Sequence, residues 1–218
     1  MSLIRFFKKV VVFLIFLDVL SAQELKITRE EPLEITAKKI LGNSKTKEIV
    51  YVGNVVLKHA GNILEANKLT ILPGSDKIIA EGNVSFIDGN NTIEMKGQYV
   101  EYLKSSKHVM MKESPVLSLS DKEGIRTTVK SDVMELFSKE ERAVIYGNVE
   151  VTREDMKILC ALVHYDKGED KVILEGKPLV FKGDDRYEGD KITIFTKDRK
   201  LIADSNVKAV VYFEEKKK

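Results

Sequence analysis

A small residue followed sixteen positions later by Gly-Asn-Val, or by a degenerate copy of it, recurs six times along this chain. The pairs are Ala37 and Gly53, Ala66 and Gly82, Gly97 and Glu113, Ser131 and Gly147, Cys160 and Gly176, and Gly189 and Ser205. Successive units step by 29, 31, 34, 29 and 29 residues, and all the variation falls after the glycine slot. A constant half joined to an elastic half describes one supersecondary unit repeated along the chain, with insertions confined to one end. In such an array the search for a single active site starts at a disadvantage.

Each unit holds two apolar runs separated by turn residues. Ile49 to Lys58 is followed by Ala60-Gly61-Asn62, then Ile63 to Leu72, then Pro73-Gly74-Ser75-Asp76. Similar punctuation at Asp88 to Asn91, Lys104 to Lys107, Asp121 to Gly124, Asp166 to Asp170, Lys182 to Asp185 and Thr196 to Arg199 predicts hairpin after hairpin. Within the runs the period is two: Ile78, Ala80, Gly82, Val84 and Phe86 share one face, and Glu81, Asn83 and Ser85 the other. One apolar and one wet face is the pattern of an antiparallel sheet covered on one side. About twelve strands of this kind exceed what an open twisted sheet sustains without curling, and no helical period appears that could cover the apolar face. The expected fold is all-β, an antiparallel meander of about twelve strands folded over on itself.

The glycine slot is where it should bend. Pro115 and Pro178 stand two positions past Glu113 and Gly176, where other units have Val55, Val84, Val149 and Val207. Proline is confined to edges, bulges and strand starts, and glycine inside a strand marks a bulge or sharp bend. A slot that accepts both reads as a corner, where each long strand passes from one wall to the other and the in-and-out alternation can reset.

The first 22 residues run from Arg5, Lys8 and Lys9 through the apolar Val10 to Leu17 to the small Ser21 and Ala22, the order of a secretory signal peptide. No cysteine follows, as a lipoprotein would need. A retained anchor beginning at Phe6 and tolerating Asp18 is the alternative, although a membrane span wants about twenty apolar residues. The expected organisation is a signal peptide over 1–22, one β domain over 23–214 and a basic tail over 215–218. Losing 1–22 takes the net charge from +2 to zero, and a neutral chain is a poor candidate for nucleic-acid binding.

Little in the chain carries chemistry. His59, His108 and His164 fall on different strands without ligand spacing and read as exposed strand residues. Cys160 is the only cysteine, fills a place taken elsewhere by Ala, Gly or Ser, and reads as a small core residue. Asp184-Asp185 and Glu140-Glu141 sit at hairpin tips, and no nucleophile elbow or phosphate loop appears. No enzyme and no cofactor or metal is expected. The apolar interior remains, and periodicity alone leaves two readings open, a solid sandwich core or a seam that holds a greasy ligand.

The copies Gly53-Asn54-Val55 with Ala66-Asn67-Lys68-Leu69, Gly82-Asn83-Val84, and Gly147-Asn148-Val149 resemble the LptA or OstA-like family of periplasmic lipopolysaccharide transport, over roughly residues 33–213. The Glu113-Ser114-Pro115 and Gly176-Lys177-Pro178 copies depart from its pattern, and the third step adds a longer loop near Ser120 to Gly124. The resemblance implies an open β-jellyroll, or β-taco, that holds the acyl chains of lipopolysaccharide (lipid A) and bridges inner to outer membrane from the periplasm. The binding positions it implies are the inward apolar ones: Val55, Leu57, Leu69, Ile71, Ile78, Val84, Phe86, Val100, Tyr102, Met134, Leu136, Val149, Val163, Tyr165, Ile192 and Ile194. It further implies end-to-end stacking of like domains, with LptC-like inner-membrane and LptD-like outer-membrane partners or as a head-to-tail homo-oligomer. Leu33, Ile35, Ile40, Leu201, Val207 and Val211 would lie on the two unpaired edges used for it. An anchored LptC-like component docking on an ABC transporter and a closed structural scaffold are the alternatives.

Overall fold

The computed structural model describes residues 33–212 apart from 122, 196 and 199. The signal segment over 1–22 and the tail over 215–218 therefore lie outside the described residues. Among the described residues eighteen strands form one antiparallel sheet. In chain order they are β1 (Glu34–Thr36), β2 (Lys39–Gly42), β3 (Ile49–His59), β4 (Asn62–Leu72), β5 (Lys77–Ile87), β6 (Ile93–Leu103), β7 (His108–Lys112), β8 (Val116–Ser120) and β9 (Arg126–Lys130). They continue as β10 (Val133–Phe137), β11 (Arg142–Arg153), β12 (Met156–Asp166), β13 (Lys171–Glu175), β14 (Leu179–Lys182), β15 (Asp185–Glu188), β16 (Lys191–Phe195), β17 (Lys200–Asp204) and β18 (Lys208–Val210).

These eighteen resolve into the twelve expected runs. β3, β4, β5, β6, β11 and β12 cross without a break, and each remaining run is two short strands separated by two or three residues. The sheet is a meander of runs in which each half of a run pairs only with the same half of its neighbours. Val133–Phe137 pairs with Arg142–Tyr146 and with β7, for example, whereas Thr127–Lys130 pairs with Glu150–Arg153 and β8 with β9. Two walls result, joined along a common corner.

Local backbone conformation makes that corner. All six slots hold two successive residues at positive φ, from Gly53 (83°) and Asn54 (48°) through Glu113 (63°) and Ser114 (60°) to Ser205 (59°) and Asn206 (51°). Glycine enters this region freely and asparagine with little penalty, which accounts for the Gly-Asn preference. At Gly147 space also decides, since a Cβ there would clash with the Asp132 side chain. Pro115 and Pro178 are buried and immediately precede β8 and β14, at strand starts where no ladder bond needs their nitrogen.

The sixteen-residue spacing is the height of one wall. From Asp132 to Gly147 the chain climbs five residues of strand, turns over 138–141 and descends five, closed by the Asp132 N–H on the Gly147 carbonyl at 2.8 Å. The elastic half is the opposite wall, where connections run from two residues at 60–61 to five at 121–125. Alternation passes through the slot undisturbed, as Val109, Met111, Leu117 and Leu119 all point inward. It resets instead on the facing runs, where Asn67-Lys68 or Asp132-Val133 turn outward together and Leu69 or Met134 resumes the inner face.

Candidate functional site

The concave face between the walls gathers the inward apolar positions. All sixteen singled out above lie on it, and they divide into two sets. Val55, Leu69, Val84, Met134, Leu136, Val149, Val163, Tyr165, Ile192 and Ile194 are fully buried, at 4% exposure or less. Leu57, Ile71, Ile78, Phe86, Val100 and Tyr102 are half-buried, and they lie on β3, β4, β5 and β6. The buried residues form two clusters. A large one runs from Ile93 to Ile194, and a small one of Val55, Ala66, Leu69, Ala80 and Val84 hugs the corner at the N-terminal end. Val100 packs against both. The interior is thus a filled core through the centre with a half-buried margin along the first runs, where Leu57 and Ile78 pack against the small cluster and Phe86 and Tyr102 against the large one.

The rim of the second wall adds polar groups that the reading above did not foresee. His59 was expected to be exposed; it is 5% exposed, because the alternation that turns Val55 and Leu57 inward turns it inward too. Its Nδ1 has no hydrogen-bond partner among the described residues. His108 and His164 do face outward, yet neighbouring strands leave them half-buried. His108 stacks on Phe137 at 4.4 Å, and its Nε2 sits 3.2 Å from Glu135 Oε2 without hydrogen-bond alignment. A shallow groove of about 320 Å³ runs past His59 between Glu34, Lys58, Asn62 and Ile63.

Farther along the same rim Arg153 continues the inward series of Val149 and Val151, and it could have been read from them. Its guanidinium pairs with Asp121, each side chain 3% exposed, and donates to Thr127 Oγ1 at 2.9 Å. Asp121 Oδ1 accepts the N–H groups of Glu123 and Ile125, both at 2.9 Å, so the carboxylate closes the 121–125 loop. Burial alone would raise the Asp121 pKa, but the Ile125 N–H, Arg153 and the Glu123 N–H outweigh it and hold the carboxyl below its ordinary value. Cys160 is a buried free thiol, pushed by burial up to about 11, and at that value it is inert near neutral pH.

The first and last runs each pair on one side only among the described residues, β1 and β2 with β3, β18 with β15 and β17 with β16. Leu33, Ile35 and Leu201 are half-buried there, while Ile40 is 62% exposed. Val207 and Val211 are exposed but outside strands, Val207 in the last corner and Val211 beyond β18. No grouping of His, Cys, Asp and Glu suited to a metal occurs among the described residues.

A bent antiparallel meander whose concave face is apolar places the chain in the class of all-β proteins with two walls folded over one corner. A profile of the OstA-like protein family matches residues 26–135, half of the chain, and the protein belongs to that family. The fold is similar to the crystal structure of LptH, the LptA-homologous periplasmic component of the lipopolysaccharide transport device from Pseudomonas aeruginosa. That similarity spans 84% of this chain and 97% of LptH, at 15% identity and a TM-score of 0.29. No sequence match was found among curated proteins.

Proposed function

We propose that this protein carries lipopolysaccharide through the periplasm, holding acyl chains against its concave face and passing them along to neighbouring OstA-like domains. The observation that supports the reading is the row of half-buried inward apolar residues Leu57, Ile71, Ile78, Phe86, Val100 and Tyr102, which lies inside the segment matched by the family. Burying acyl chain contributes about 0.8 kcal/mol per methylene, so a chain of roughly a dozen carbons supplies on the order of 10 kcal/mol before ordering costs. The one-sided first and last runs would serve edge-to-edge addition of LptC-like and LptD-like partners or of further copies. The anchored alternative turns on residues outside the described ones.

The filled centre favours a second reading, a closed structural scaffold. Photo-crosslinking residues placed singly at Leu57, Ile78, Phe86, Tyr102 and Met134 in cells separate the two. Capture of lipopolysaccharide at the first four and not at Met134 is the expected result. Absence of capture at all five would end the carrier reading in favour of the scaffold.

A further inference from the structure

The inner face of the second wall is graded at its N-terminal end. Ile35, Leu57, Leu64 and Phe86 stand opposite one another on β1, β3, β4 and β5, and all four are half-buried. One row nearer the corner, Val55, Ala66 and Val84 are fully buried. One row nearer the rim the face turns polar, with His59 paired across to Asn62. Neighbouring strands lie about 4.8 Å apart, and successive residues on one face of a strand about 6.8 Å. Polar rim, half-buried apolar row and closed corner therefore succeed one another from outside inward, the polarity order of an acyl chain and the group that carries it.

His59 is the anomaly in that order. It is 5% exposed, yet its Nδ1 meets no hydrogen-bond partner among the described residues. Buried polar side-chain atoms are nearly always paired, because an unpaired one gives up its hydration for nothing. The polar groups around it are committed elsewhere. The Gly89 N–H donates to Asn62 Oδ1 at 3.1 Å, and the Asp88 carboxylate accepts the N–H groups of Asn90, Thr92 and Ile93 in its own turn. Ile35, Leu57 and Leu64 offer no polar atom, so a leucine at position 59 would simply extend the apolar series. A neutral imidazole brings one donor and one acceptor. A polar group arriving with the lipid, at the outer end of a chain laid over Leu57 and Phe86, supplies the missing partner.

We propose that His59 hydrogen-bonds the polar junction of the carried lipid, the ester or amide group at which an acyl chain joins its sugar, and so sets how deep that chain lies between the walls. The inference rests on the carrier reading and assigns one residue within it. The test adds purified lipopolysaccharide to the full chain labelled with nitrogen-15 at histidine, with capture by a photo-crosslinking residue at Phe86 measured in parallel. The His59 ring-nitrogen resonances should shift on binding, and those of His108 and His164, on the outer face, should stay. His59→Leu should lower capture at Phe86 about fivefold, the worth of one neutral hydrogen bond. The same variant should raise the urea midpoint of the unliganded protein, because it removes an unpaired buried nitrogen. His59→Gln, which keeps a donor and an acceptor, should recover most of the capture. Capture at Phe86 with the His59 resonances unmoved, or undiminished in His59→Leu, overturns the inference and leaves the carrier reading standing. A lowered urea midpoint in His59→Leu overturns it as well, since the ring would then be satisfied before any lipid arrives. Absence of capture by the protein with His59 intact ends both.

Discussion

The N-terminal end and the centre are built from the same unit, yet several inward residues of the first stay half-buried while those of the second are fully buried. The corner does not differ, since every slot uses two residues at positive φ, so the walls diverge from the same hinge in both. What differs is the volume set between them. Two positions before the slot the N-terminal end has Ala80 where the centre has Met111, Ile145 and Leu174, all buried, whereas the place of Ala66 is small in every unit. A larger side chain there fills more of the wedge between the walls than alanine does. On the same strand as Ala80, Ile78 remains half-buried. Side-chain volume at that place is one way in which identical backbone units come to differ.

The largest expected effect concerns the seal at the rim of the centre. Arg153→Met leaves the Asp121 carboxylate buried without its cation, which should lower unfolding free energy by about 3–5 kcal/mol, read by urea denaturation. A loss under about 1 kcal/mol would mean that water reaches the pair and that the centre is as open as the N-terminal end.

The comparison itself is broken or upheld by truncations within each region. Met134→Ala should cost about 2–5 kcal/mol of stability, because the packed centre can only partly collapse around the cavity. Leu57→Ala should cost about 1 kcal/mol or less, since only part of that side chain leaves water on folding. Lipid capture at Phe86 should show the reverse order, weakened by Leu57→Ala and spared by Met134→Ala. Equal stability losses, or capture lost only at Met134, would mean that the two regions are not distinct.

Much of this was legible in the residues and some was not. The period of two placed all sixteen inward positions, and the regular turns gave the number of runs. The Gly-Asn and Pro positions marked the corner because few residues tolerate such backbone. The same alternation reached His59 and Arg153, but a reading that sets polar residues outside stopped before them. The contrast between half-buried margin and core left no periodic trace. It depends on whether alanine or a larger apolar residue fills the place two positions before the slot, and on how far apart the walls stand once the sheet has folded.

Acid should weaken the seal at the rim of the centre. Asp121 has its folded pKa depressed, so its contribution is complete above the unfolded value of about 3.9 and is lost as pH falls through the folded value. Between those two values stability should fall with pH by up to about 1.4 kcal/mol per unit from this group, and Asp121→Asn should flatten that slope. Unfolding midpoints measured from pH 5 downward for both proteins decide it, and parallel slopes would show that Asp121 is not the group responsible.

The smallest effect tests whether the corner is truly common to both regions. Glu113 holds φ at 63° without being glycine, a conformation that strains a side chain by about 1–2 kcal/mol. Glu113→Gly relieves that strain but gives the unfolded chain more freedom, so the net gain should be roughly 0.5–1 kcal/mol. Thermal unfolding should shift upward by a few degrees for a chain of this size, with crosslinking at Phe86 unchanged. Glu113 lies in the run next to β6, whose Val100 packs against both clusters. If Glu113→Gly instead lowered stability or altered capture at Phe86, this corner would have to differ from the other five, and the half-buried margin would owe its exposure to backbone geometry as well as to side-chain volume.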